Sequence, residues 1–154
     1  MAVDYYNAGM NAFEAQNFDE AIKFFKKGLS DARCNFSLGI MYYNGQGVEK
    51  SFKTSIHYYS IAAEAGIVPA QVSAGFAYAN AMGVPEDFDK AAYFLKMASD
   101  KGEASAKITL AEIYAMGHAG GDRKEAAKLI RDVLSYSNSE EAMDVYNKYQ
   151  LNMV

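Results

Sequence analysis

Residues 38–66 read LGIMYYNGQGVEKSFKTSIHYYSIAAEAG, and residues 74–102 read AGFAYANAMGVPEDFDKAAYFLKMASDKG. Gly39, Tyr42, Gly47, Val48, Phe52 and Gly66 return as Gly75, Tyr78, Gly83, Val84, Phe88 and Gly102, each 36 positions later and without a gap. A period of this length marks a stacked array, because one such unit cannot bury its apolar face alone.

Within a unit the pattern is helical. Phe88, Ala91, Ala92, Leu95 and Ala98 follow the i, i+3, i+4, i+7 spacing of one apolar stripe. This predicts a helix over 86–101, with Pro85 and Asp87 as first-turn residues and Gly102 as the stop. By register, the second unit carries the same helix (helix B) over 50–65. The preceding helix (helix A) is expected over 31–44 and 68–81. Gly39 and Gly75 fall inside helix A, where glycine costs about 1 kcal/mol against alanine. Their fixed register predicts that helix B comes so close that a Cβ would clash; the fourth unit has Ala111 there. In the loops NGQGV (44–48) and NAMGV (80–84), glycine permits positive φ and the valine is expected to point back into the hairpin.

Outward from this pair the signal weakens. In the fourth unit Ala106, Leu110, Ala111 and Tyr114 mark helix A, and Ala126, Ala127, Leu129, Ile130 and Val133 mark helix B. Its loop, GHAGGD (117–122), lacks the valine and one position, and is expected to be the most mobile. The first unit, Tyr5 to Leu29, is shorter in the glycine loop. Beyond the fourth unit, Ala142, Val145, Tyr146 and Tyr149 form an amphipathic run, and Ser137 with Glu140 suits a capping box. The expectation is one solenoid domain over 1–154, with repeats at about 3–30, 31–66, 67–102 and 103–137. A final helix over 139–150 would cap the last repeat.

At 154 residues and 51% hydrophobic content, the chain can bury a core as one domain. A net charge of −4 offers no electrostatic footprint for nucleic acid or anionic lipid. Cys34, the only cysteine, has Ala70 as its counterpart one unit later, which favours small-residue packing over nucleophilic chemistry. No apolar run approaches a membrane span, and the first residues lack a secretory pattern, so no membrane is expected. A cytoplasmic location is the expectation, with export of a processed form left open. His57 and His118, the only histidines, lack the spacing of a metal site. GHAGGD lacks the Lys-Ser/Thr ending of a phosphate loop, and neither Ser-x-x-Lys nor Lys-Thr-Gly occurs. No catalytic residue, metal or cofactor is implied, and the chain reads as a non-enzyme.

The pattern LG-x-x-Y-x-x-G-x-GV, followed by F-x-x-A and AAE-x-G, resembles the Sel1-like repeat, a relative of the tetratricopeptide repeat. Leu38, Gly39, Tyr42, Gly45, Gly47, Val48, Ala62, Ala63, Glu64 and Gly66 carry it in the second unit. Gly75, Tyr78, Gly83, Val84, Pro85, Asp87, Lys90, Ala91, Ala98 and Gly102 carry it in the third. The first unit is closer to the tetratricopeptide form. Ser55 departs from the usual alanine. The resemblance implies an all-α fold, a right-handed superhelical α-solenoid of antiparallel helix pairs with a C-terminal capping helix. It also implies a non-catalytic adaptor for protein partners.

In the tetratricopeptide relatives helices A line the concave face. By that register the first unit turns Tyr6, Met10, Phe13 and Glu14 inward, and the second turns Phe36, Ile40, Tyr43 and Asn44. The third presents Val72, Phe76, Ala79 and Asn80, and the fourth Ile108, Glu112, Ala115 and Met116. Such a surface would hold a peptide segment of a protein partner, with Asn44 and Asn80 bonding its backbone and Glu112 meeting a basic side chain. The aromatic residues serve equally as inter-repeat core, and both asparagines equally as helix caps. Two functional readings stand: an interaction module or adaptor, and alternatively an inhibitor or immunity-type protein that neutralises an enzyme or toxin by the same face.

Overall fold

The computed structural model describes residues 2–154. Four helical hairpins follow one another: α1 (Tyr5–Glu14) with α2 (Phe18–Lys27), α3 (Ala32–Asn44) with α4 (Phe52–Glu64), α5 (Val68–Ala79) with α6 (Phe88–Asp100), and α7 (Ala104–Ala115) with α8 (Arg123–Tyr136). Then come α9 (Glu140–Lys148) and a 3-10 turn over Leu151–Met153. No strand occurs among the described residues. The result is an all-helical solenoid of helix pairs.

The helix starts correct the expected boundaries in a consistent way. Asp31, Ser51 and Asp87 are N-caps in extended conformation, and their side chains accept from the backbone N–H of Arg33, Thr54 and Lys90. Helix B of the third unit therefore begins at Phe88, with Pro85 and Asp87 outside it rather than in its first turn. A short polar side chain satisfies an orphan N–H there and outcompetes one more turn of helix. Ser137 and Glu140 form no capping box. The Ser137 hydroxyl donates to the Val133 carbonyl (2.9 Å), and Ser139 caps α9 by accepting from Ala142 N–H (3.1 Å). Residue 137 is extended, which moves the helix start two positions on. The box forms instead between Asp122 and Glu125 at the start of α8.

Every core layer is shared by neighbours, as the repeat pattern requires. Ile22 and Phe25 pack with Cys34, Leu38 and Met41; Ile56 and Tyr59 pack with Ala70, Ala74 and Ala77. Leu95 and Ala98 pack with Ala106, Leu110 and Ile113, and Ile130 and Val133 pack with Ala142, Val145 and Leu151. Inside each hairpin, the small residue of helix A makes the room that was expected. A Cβ on Gly39 would meet the Tyr59 ring and one on Gly75 would lie 2.5 Å from Leu95 Cγ. Gly9 stands in the same relation to the Phe25 ring, so the first unit shares this device.

The loop glycines do something the sequence pattern did not disclose. Gly47 (φ +70°) lies against Phe18 and Asp19 of the preceding unit, and Gly83 (φ +75°) against Phe52 and Lys53. A Cβ on Gly83 would sit 2.6 Å from the Lys53 nitrogen. Each loop therefore docks on the first turn of the previous helix B. Val48 and Val84 are half-buried and point back to the core, as expected. In the fourth unit the contact has another chemistry: the His118 ring stacks on Phe88 at 4.3 Å. Gly121 in the same loop lies against Tyr114.

Candidate functional site: the groove between α3 and α5

Successive A helices touch at α1–α3, α5–α7 and α7–α9, whereas successive B helices splay apart. This places the A helices on the inside of the curve. The A layer is interrupted once, because α3 and α5 make no comparable contact. An apolar groove of about 280 Å³ opens there. Tyr43 of α3 and Phe76 of α5 flank it, Ile56 and Tyr59 of α4 form its floor, and Phe52 and Met82 close it.

The two flanking rings are both exposed, Phe76 to 47% and Tyr43 to 38%. Tyr43 leans on Phe52 at 5.1 Å between ring centres. Burial, opposed by Ser55, holds the Tyr59 phenol above its ordinary pKa, so the floor stays uncharged. Ser55 itself bonds the Gly39 carbonyl at 2.7 Å, which explains a hydroxyl where the repeat usually carries alanine. A smaller pocket of about 80 Å³ lies on the other flank of α3, lined by Met10, Phe13, Phe25, Ser37 and Ile40.

The expected site residues thus separate. Tyr43 and Phe76 meet at the groove, and Met10, Phe13 and Ile40 meet at the small pocket. Phe36 packs on Tyr59 at 5.7 Å and belongs to the core side of that layer. Tyr6 is half-buried beneath the Arg33 guanidinium, 4.2 Å from its ring centre. Asn80 is a helix cap: its amide donates to the Phe76 carbonyl at 2.9 Å. The left-handed position is Ala81 (φ 54°), however, not Asn80. Asn44 ends α3 and reaches Gln46 at 3.4 Å, with Gly45 in the left-handed position.

In the fourth unit two of the four inward positions, Ile108 and Glu112, are engaged by α9, whereas Met116 stays 43% exposed. Ile108 is buried under α9, and Glu112 pairs with Lys148 at 3.0 Å. Glu112 raises the Lys148 pKa, chiefly through that hydrogen bond. Lys148 lies 36 positions after Glu112, so α9 occupies the slot of a fifth helix A. Asn147 stands in the register of Gly39 and Gly75 and is exposed, since no further helix B presses on it.

Phe52, Ile56, Tyr59, Val72, Ser73 and Met82 line the groove beside the two flanking rings. Sequence reasoning placed only Val72 among them on the inner face. Phe52 was visible as a repeat landmark, but nothing in its spacing announces a gap between two A helices. No group of residues suited to hold a metal occurs among the described residues. His57 is exposed with its ring edge-on to Tyr58, and His118 is engaged by Phe88. No described helix is long and apolar enough to cross a membrane.

A family model described as the Sel1 repeat matches residues 1–30, 32–67 and 68–103. The chain belongs to the Sel1 repeat family. Among solved structures it is similar to a Sel1 repeat protein from Oxalobacter formigenes, with a TM-score of 0.74 and 21% identity over 92% of this chain and 60% of that one. It is also similar to a protective antigen present in uropathogenic Escherichia coli strains that displays an SLR fold, with a TM-score of 0.79 and 19% identity over 96% of this chain and 38% of that one. The chain thus spans less than two thirds of either structure's length. No curated protein matches it. Sel1 repeat proteins generally serve protein–protein interaction as scaffolds.

Proposed function

We propose that this chain is a non-enzymatic interaction module that holds a peptide segment of a protein partner on its inner face, centred on the groove between α3 and α5. The observation that carries the reading is the pair of exposed rings, Tyr43 and Phe76, either side of an uncharged groove in an otherwise closed layer of helices. Aromatic anchors in desolvated pockets dominate protein interfaces, and open apolar surface of this kind needs a reason. Met10, Phe13 and Ile40 extend the contact along α3 towards the first unit. Glu112 already has a cation of this chain beside it, Lys148.

The test is a double substitution, Tyr43→Ala with Phe76→Ala, in a capture experiment with the partner recovered by the native chain. Binding should fall at least about thirtyfold, since even one truncated hot-spot residue costs about 2 kcal/mol. Helical circular dichroism should persist, because both rings are largely outside the core layers. Retained binding, or loss of the fold, counts against the groove.

A further inference from the structure

We propose that the groove takes one bulky apolar side chain from an acidic peptide, whose neighbouring carboxylate pairs with Lys50. This deepens the preceding reading and rests on it. The volume of about 280 Å³ lies just below the roughly 300–1,000 Å³ of small-molecule sites. It suits a single Phe, Leu or Met anchor. The lining holds no charged group, so a polar metabolite would lose its water there without gaining a partner.

The rim supplies the sign of the charge. Lys50 is exposed, and its Nζ lies 4.8 Å from the centre of the Phe52 ring and 5.9 Å from that of Tyr43. Both rings also line the groove, so the ammonium lies beside it, against the faces of two of its walls. The ion pairs among the described residues are Arg33–Asp31, Lys90–Asp87, Lys107–Asp132 and Lys148–Glu112. Lys50 is in none of them. At the other end of the inner face, Glu112 already has its cation. Glu49 is exposed and unpaired as well, but it is the Lys50 ammonium that lies against two rings of the groove, and a carboxylate one or two residues from the anchor would pair with it.

The experiment is selection from a random twelve-residue peptide phage library on the folded chain, followed by synthesis of the enriched peptides. The expected result is enrichment of a Phe, Leu or Met with Asp or Glu within two positions. Affinity should weaken with salt, fall about fivefold to tenfold in Lys50→Glu, and return in Lys50→Arg. Lys50 is exposed, so these variants keep the fold. Enriched peptides that need Phe76 but show no acidic preference, or ignore Lys50→Glu, overturn this inference and leave the groove reading standing. Peptides indifferent to Phe76→Ala, or no enrichment at all, overturn both. A dimer of the chain itself that Phe76→Ala dissolves would put a second copy in the groove, and would also overturn it.

Discussion

The second and third units solve a packing problem with glycine that the fourth solves with larger residues. In the former, helix A carries Gly39 or Gly75 beneath a side chain of helix B, and a loop glycine lies on the backbone of the previous unit. In the fourth, Ala111 fills the first position at full burial, and the His118 ring replaces glycine in the second by stacking on Phe88. The inner faces differ too: apolar at Phe76, ionic at Glu112, which pairs with Lys148. Close backbone approach demands glycine only where nothing else fits. Where the elements stand slightly apart, a methyl or an imidazole makes the same joint, and the sequence signature fades although the architecture continues.

The sharpest way to break this comparison is alanine at two loop glycines of similar φ. Gly83→Ala combines a left-handed backbone with a collision against Phe52 and Lys53, and should cost about 3 kcal/mol in urea unfolding. Gly120→Ala shares the conformation (φ +74°) but has nothing within 4 Å, and should cost about 1 kcal/mol. Equal losses would mean that the docking of the third loop contributes nothing.

Opposite substitutions at the helix A position sharpen it further. Gly75→Ala gains helix propensity but presses on Leu95 and the Ala91 carbonyl, for a net loss of about 1–2 kcal/mol. Ala111→Gly should also lose about 1 kcal/mol, because the fourth unit has room for the methyl and uses it. Thermal unfolding in which either change stabilises the chain would refute the difference in spacing.

The smallest effect belongs where all units agree. Cys34, Ala70, Ala106 and Ala142 share one register and are fully buried. Cys34→Ala should therefore stay within about 1 kcal/mol of the native chain. Burial pushes the Cys34 thiol up to about 11, with Asp31 adding to it. The native thiol should ignore Ellman's reagent at pH 8 and react only on unfolding. Its folded value lies above the ordinary 9.0, so the unfolded chain loses this proton first. The thiol's contribution to stability is accordingly full below 9.0 and falls away as the pH rises towards 11. Fast labelling of the folded chain would remove Cys34 from the core.

Period and spacing along the chain were enough for the helix pairs, their order, the tight glycine in helix A and the small-residue role of Cys34, because each follows from neighbours close in sequence or from strict recurrence. Gln71 shows where that ends. Its buried amide donates to the Ala63 carbonyl at 3.1 Å, and Asn35, one unit earlier, reaches the Leu29 carbonyl at 2.8 Å. These joints between units have no periodic apolar signature. The same holds for the groove: Tyr43 and Phe76 belong to different units, and whether their rings meet, bury or part depends on a few ångströms of helix separation. That separation is the sum of all the side chains wedged between α3, α4 and α5, so it exists only once the stack has closed.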